Sequence, residues 1–255
     1  MVAAMQLVHG VEQLSPEHGP VFVVVGVFDG LHLGHLYLLD HLRAEAAARR
    51  ARPTVITFDH HPDEVLTGHA PPLLLDPAER LERLAAAGVA VTVVQHFDEA
   101  LRHTQYDAFV ERIRARVELS GFLMTPDAAF GFERHGTPDA LAELGGRLGF
   151  DVVVVPPFTL DGRAVRSTEI RSEIAAGRLG QAAALLGRPV TLTGTLGDRG
   201  SDGARLELEL PVALPPDGTY PVRVDSIDAV AEIRGGAVWV RDGTVNGRVT
   251  LELVA

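Results

Sequence analysis

Between Pro20 and about Pro156 the chain alternates runs of β-branched apolar residues with amphipathic segments. The runs are Val21–Val25, Thr54–Phe58, Val89–Val94, Gly121–Thr125 and Val152–Val155. Their spacing is that of successive parallel strands joined by crossover helices. Each run is too apolar to leave a face in water, which predicts helices on both sides of the sheet and a doubly wound α/β architecture. Asp76-Pro77-Ala78-Glu79 predicts a helix start, with a side-chain cap, a proline in the first turn and a glutamate at its third position; Thr137-Pro138 repeats the cap and the proline. Gly88, Gly149 and Gly177 stand where the helices should stop.

Beyond Gly187-Arg188-Pro189 the pattern changes. Short alternating runs, Arg205–Leu210, Tyr220–Asp225, Val230–Arg234 and Arg248–Val254, are separated by Gly, Pro and Asp. They predict a small C-terminal antiparallel sheet or β-barrel. The expected domains are therefore 1–188 and 189–255.

Composition narrows the function classes. The 255 residues carry a formal net charge of -11, so a nucleic-acid backbone is not an expected partner. There is no cysteine, which excludes disulfides, thiolate zinc sites and thiol nucleophiles and fits a reducing compartment. The segment MVAAMQLVHG has no basic region followed by a sustained apolar run, and no stretch has the roughly 18 apolar residues of a membrane span. These features predict a soluble, cytoplasmic protein without membrane association.

The candidate chemistry concentrates in Gly26-Val27-Phe28-Asp29-Gly30-Leu31-His32-Leu33-Gly34-His35, directly after the first predicted strand. In a parallel sheet that junction lies at a strand's carboxyl end, where ligands bind. Gly26 and Gly30 allow close backbone approach, and a helix beginning near Gly34 offers free N–H groups and its positive dipole end. His32 and His35 are spaced to project from one side of a first helical turn and to meet a phosphoryl group gaining charge. A bland alternative has the histidines only capping or packing; two histidines and two glycines in fixed register weigh against it. Ser167-Thr168 precede a helical run ending at Gly177 and offer a capping hydroxyl, with Arg171 facing an anion. Asp59, His60 and His61 together with His32 and His35 form a conceivable metal set, but the first segment already accounts for two of those histidines, so no metal ligand is assigned. The run from His96 to His103 reads as a solvated loop.

The first segment resembles the H-x-G-H nucleotidylyltransferases and, within them, the FAD synthetases, usually bifunctional riboflavin kinase/FMN adenylyltransferases, whose motif G-x-F-D-G-x-H-x-G-H it matches at every fixed position. Thr57-Phe58-Asp59-His60-His61-Pro62 resembles that family's T-F-x-x-H-P, Arg166-Ser167-Thr168-Glu169-Ile170-Arg171 its S-S-T-x-I-R with the first serine replaced by Arg166, and Leu186-Gly187-Arg188-Pro189 its L-G-R-P. The resemblance implies a Rossmann-like transferase domain that moves AMP from ATP, with Mg²⁺, to the phosphate of FMN, giving FAD and pyrophosphate. It implies catalytic roles for His32, His35 and Arg171 and nucleotide contacts at Gly26, Phe28, Asp29, Gly30, Gly34, Ser167 and Thr168. Acceptor contacts are implied at His61, Pro62, Asp127 and Phe130.

Three departures qualify this. Asp127-Ala128-Ala129-Phe130-Gly131 stands where the family has D-F-R-F-G, and Val27 where an asparagine is common; Arg134 and Arg166 are candidates for a displaced charge. No P-T-A-N appears in the run Thr193 to Ala204 or after it, which implies a shortened kinase-type barrel without riboflavin kinase activity. Alternatives are a different phosphorylated acceptor or CTP as donor and, in another class, a catalytically inactive nucleotide- or flavin-binding protein.

Overall fold

The computed structural model describes residues 4–200, 203–241 and 247–254; Ser201 and Asp202 of the Thr193 to Ala204 run lie outside them. The chain divides into two compact units. The first comprises Met1–Phe28, Gly34–Pro71 and Leu81–Phe158, and the second Asp29–Leu33, Pro72–Arg80 and Thr159–Ala255.

The first unit is built on a parallel sheet of β1 (Gln6–His9), β2 (Val21–Val25), β3 (Arg52–Phe58), β4 (Val91–Gln95), β5 (Leu119–Met124) and β6 (Asp151–Val154), in the order β1-β4-β3-β2-β5-β6. Five of these strands coincide with the apolar runs to within a few residues. The edge strand β1 was not signalled: it is four residues long and is defined by its parallel pairing, Gln6 with Val91 through His9 with Val94. One expectation is corrected. The Val152–Val155 run does have a wet face, because β6 is the opposite edge strand and Val154 is 47% exposed.

Helices α1 (Leu33–Ala48), α2 (Asp63–Thr67), α3 (Pro77–Ala86), α4 (Glu99–Arg102), α5 (Tyr106–Arg114) and α6 (Pro138–Leu148) connect the strands. The predicted caps are in place: Asp76 Oδ1 accepts the N–H groups of Ala78 and Glu79 at 2.9 and 3.2 Å, and Thr137 Oγ1 accepts that of Ala140 at 3.3 Å. Gly149 ends α6 in the left-handed conformation. The core joins β2 to β5 with α5 and α6 through Val23, Ile56, Val91, Ile113, Phe122 and Leu141, all essentially without solvent contact. Each such side chain contributes roughly 1.5–3 kcal/mol by leaving water.

Strand order locates the ligand end of this sheet. From β2 the chain moves to β3 and β4 on one side and returns to β5 on the other. The connections therefore diverge at the carboxyl ends of β2 and β5, opening a crevice there.

The second unit contains a two-stranded hairpin of β7 (Thr159–Leu160) and β8 (Arg163–Ala164), helices α7 (Ser167–Ala175) and α8 (Leu179–Leu186), and a closed antiparallel barrel. The barrel strands are β9 (Val190–Gly200), β10 (Gly203–Glu207), β11 (Gly218–Val224), β12 (Ile227–Arg234), β13 (Ala237–Val240) and β14 (Gly247–Leu253), in the order β10-β13-β12-β11-β14-β9. Alternation sends Val222, Val224, Val249, Leu251 and Leu253 inward. Closure removes the exposed sheet edges that so small a sheet would otherwise present. Among the described residues no helix is long and apolar enough to cross a membrane.

Candidate functional site

The glycine-rich segment 26–35 leaves β2 through a strained turn. Phe28 and Leu31 have φ of 55° and 38°, and Gly30 has φ of 86°. A left-handed conformation costs a non-glycine residue about 1–3 kcal/mol, so the surroundings must impose it. They do: Phe28 and Leu31 are each 2% exposed. A Cβ on Gly30 would come within 3.0 Å of Leu74 Cδ1, and one on Gly26 within 3.1 Å of the Phe28 ring. The Phe28 ring in turn lies 5.1 Å from that of His35, and Gly34 and His35 occupy the first turn of α1.

In the second unit, Asp29 organises a buried polar cluster. Its carboxylate accepts the Leu74 N–H at both oxygens, at 2.9 and 3.1 Å, and accepts from Arg171 Nη2 at 2.5 Å. Burial pushes the Asp29 carboxyl up from its ordinary range, against the opposing pull of the Arg171 cation, the Leu74 N–H and Arg80. Arg171 also donates from Nε to the Pro72 carbonyl at 2.8 Å, tying α7 to segment 72–80. Arg188 Nη2 donates to the Gly30 carbonyl at 2.7 Å. His32 is 4% exposed. Burial, then the Arg188 cation and, less, the Arg171 cation, push its pKa down to about 4. At neutral pH it is therefore an uncharged imidazole offering one N–H donor.

Two details differ from expectation. Ser167 does not cap α7: the helix starts one residue earlier than assumed, Arg166 occupies the extended cap position without a side-chain cap bond, and Ser167 Oγ instead donates to the Asp29 carbonyl at 3.0 Å. The Arg171 fork, expected to face an anion, is partly engaged by Asp29 and Pro72. Ser167→Ala is expected to cost about 1 kcal/mol through the lost hydrogen bond. Ser167→Asp, a good cap but no donor, should cost more; urea unfolding in which Ser167→Asp matched the parent would restore the capping role.

In the first unit a cavity of about 820 Å³ opens at the carboxyl ends of β2 and β5. Val24, Gly26, Phe122, Ala128 and Phe130 give it an apolar wall, with His61 and Pro62 beside Phe58, while Arg102 and Arg134 supply positive charge. His61 Nδ1 accepts the Asp63 N–H at 3.2 Å, which leaves the proton of the neutral ring on Nε2. Arg134 donates to the Asp127 carbonyl at 3.0 Å. Of the predicted acceptor residues, His61, Pro62 and Phe130 line the cavity. Asp127 does not; its Oδ1 accepts from Thr125 Oγ1 at 2.8 Å.

Of the predicted site residues, Asp29, Gly30, His32, Ser167, Thr168 and Arg171 belong to the second unit and Gly26, Phe28, Gly34, His35, His61, Pro62, Asp127 and Phe130 to the first. Sequence reasoning missed Arg188, read only as part of a closing motif, and the Leu74 and Arg80 contributions. The one available signal was the pairing of Arg188 with the turn residue Gly187, which ends α8 at φ 72°.

The chain matches the FAD synthetase family over residues 14–169. A bifunctional riboflavin kinase/FMN adenylyltransferase of Pseudomonas fluorescens is 33% identical, covering 87% of this chain and 73% of the relative. One from Haemophilus influenzae is 30% identical over 97% of this chain and 82% of the relative. Among solved structures, a Streptococcus pneumoniae protein described as a macrolide-efflux protein superposes with a TM-score of 0.81 at 22% identity, covering 98% of this chain and 89% of that one. At that identity the likeness is one of fold.

Proposed function

Because this chain belongs to the FAD synthetase family, we propose that it is an FMN adenylyltransferase, moving AMP from MgATP to the phosphate of FMN. An oxygen of the FMN phosphate attacks the α-phosphorus in line, the bond to the β-bridging oxygen breaks, and FAD and pyrophosphate leave. The attacking phosphate is already ionised at neutral pH, so the protein need not remove a proton. Its task is to position two anions and stabilise the charge that spreads as the bonds exchange.

The observation that carries this reading is the 820 Å³ cavity at the switch point of the sheet. Its volume lies within the ordinary range for ligand sites, and its apolar wall suits a fused aromatic ring. Ala128 and Ala129 form part of that wall, while Arg134 supplies positive charge. The triphosphate falls to the second unit. There the α7 N-terminus has no side-chain cap and so offers backbone N–H groups to an anion. His32 donates as a neutral imidazole near the Arg171 and Arg188 cations, and Thr168 stands exposed in the first turn of α7. His35 serves as the second imidazole of the H-x-G-H motif, held against Phe28. Both Asp29 oxygens are already engaged, so Mg²⁺ is best treated as part of the MgATP substrate.

We assign residues 1–188 to the transferase domain and 189–255 to a shortened kinase-type barrel, in a cytoplasmic protein. The stretch in which P-T-A-N is lacking begins within strand β9, paired with β14 from Val190 to Leu196. Over the described residues Val190 to Leu196 that pairing leaves no loop to hold a nucleotide, and phosphorylating riboflavin would also require activating a neutral hydroxyl. Purified protein with MgATP should convert FMN to FAD with release of pyrophosphate and should not convert riboflavin to FMN. Chromatography of the flavins reads both steps. FAD formation absent, with pyrophosphate released only for another phosphorylated acceptor or with CTP, would overturn the assignment; FMN formed from riboflavin would overturn the kinase-free barrel.

A further inference from the structure

Outside the residues the proposed transfer uses, Asp59, His60 and His96 converge, with one ligand-type atom from each lying within 4.8 Å of the others. The convergence follows from strand register. Phe58 and Gln95, the last residues of β3 and β4, are paired, and the ladder continues one step as the Asp59 N–H donates to the Gln95 carbonyl at 3.2 Å. Asp59-His60 and His96 thus leave neighbouring strands side by side, at the carboxyl edge of the sheet. The T-shaped contact of Phe58 with Phe97, with ring centroids 5.4 Å apart, braces the two chain exits.

The Asp59 carboxylate holds both imidazoles close, one at each oxygen. Asp59 Oδ2 lies 2.6 Å from His96 Nδ1, Asp59 Oδ1 lies 2.7 Å from His60 Nδ1, and the two imidazoles meet edge to face with centroids 5.3 Å apart. Asp59 Oδ1 also accepts the His60 N–H at 2.9 Å, which fixes the carboxylate plane. Two imidazoles and one carboxylate are a borderline donor set. They suit Zn²⁺, Co²⁺ or Ni²⁺ at bond lengths of about 2.0–2.2 Å, and they carry too few oxygens for Mg²⁺ or Ca²⁺. The geometry points to a surface site for one divalent transition-metal ion, Zn²⁺ in the first instance, held by Asp59, His60 and His96 with its remaining positions open to water or an anion. This set differs from the one weighed from sequence alone, because His96 replaces His61, His32 and His35 and comes from the run expected to be a solvated loop.

The three side chains are at least partly open to solvent, with 38%, 30% and 66% exposure, so small rotations admit an ion without moving the core. The alternative is a plain surface ion pair in which Asp59 bridges two imidazoles with no affinity for metal.

Titration of the full-length protein with ZnCl₂, without nucleotide or flavin, separates the two and does not depend on any transferase activity. The expected result is one equivalent bound, with affinity falling about tenfold or more in each of Asp59→Asn, His60→Ala and His96→Ala. His69→Ala, which changes an exposed histidine outside the cluster, should leave the affinity unchanged. Co²⁺ loading provides a second reading, because visible absorption bands that disappear in His96→Ala report nitrogen ligation directly. Circular dichroism of each variant establishes that it is folded. Absence of stoichiometric Zn²⁺ binding, or binding that survives all three cluster variants, would overturn the proposal.

Discussion

Replacing His32 by alanine is expected to lower adenylyl transfer at saturating MgATP by two orders of magnitude or more, with a smaller effect on MgATP binding. The reason is the timing of the interaction: a fixed donor aimed at charge that develops only in the transition state lowers the barrier without tightening the ground state. His35→Ala should behave alike. Single-turnover kinetics with FMN measure this, and a double variant retaining near-parental turnover would remove both imidazoles from the mechanism.

His32 also carries a stability signature. Its folded pKa of about 4 lies below the ordinary 6.5, so the folded state refuses a proton that the unfolded chain accepts. Above about pH 6.5 neither form is protonated and there is no effect. As pH falls from there to about 4, stability declines by about 3 kcal/mol, and below that the penalty is constant. His32→Gln should flatten that window in urea unfolding curves taken between pH 4 and 7.

The second large effect concerns the pair Asp29 and Arg171, whose side chains are 3% and 15% exposed. Removing one member of a buried ion pair leaves the other charge uncompensated, at a cost of about 3–5 kcal/mol. Asp29→Ala should show that loss and should also release the Leu74 N–H, loosening segment 72–80. Arg171→Lys keeps the charge but cannot bond both Pro72 and Asp29 from one planar fork, so a clear rise in the MgATP requirement is expected. A double-mutant cycle with Asp29→Asn and Arg171→Gln tests the coupling: additive effects would mean the two side chains act independently and the cluster is not organised by their contact.

The strands and caps were legible in the sequence because they are written in local chemistry. A β-branched apolar run such as Val21–Val25 can satisfy its backbone and bury its side chains only inside a sheet, and Asp76 before Pro77 caps a helix whatever lies elsewhere. The same holds for the change of texture after Pro189, since a two-residue alternation states that a strand has one wet face. The segment 26–35 was legible because glycines and histidines at a strand end have a narrow range of uses. By contrast, β1 and the exposure of β6 depend on position in the sheet, and no run of residues carries its own strand order.

The partners within the site were decided by tertiary structure. Arg171 meets Asp29 across 142 positions, Ser167 meets the Asp29 carbonyl across 138, and Arg188 meets the Gly30 carbonyl across 158. A hydroxyl or guanidinium advertises that it will donate, but its acceptor is chosen by which backbone the fold carries past it. That choice turned Ser167 from a cap into a brace and drew part of the Arg171 fork onto Asp29. It buried His32 beside the Arg188 and Arg171 cations, which keeps it neutral, and set His96 beside Asp59 by the register of β3 and β4. Pattern along a chain encodes each residue's own preference for water and backbone conformation; distances between remote residues come from how the preferences of the whole chain are met at once.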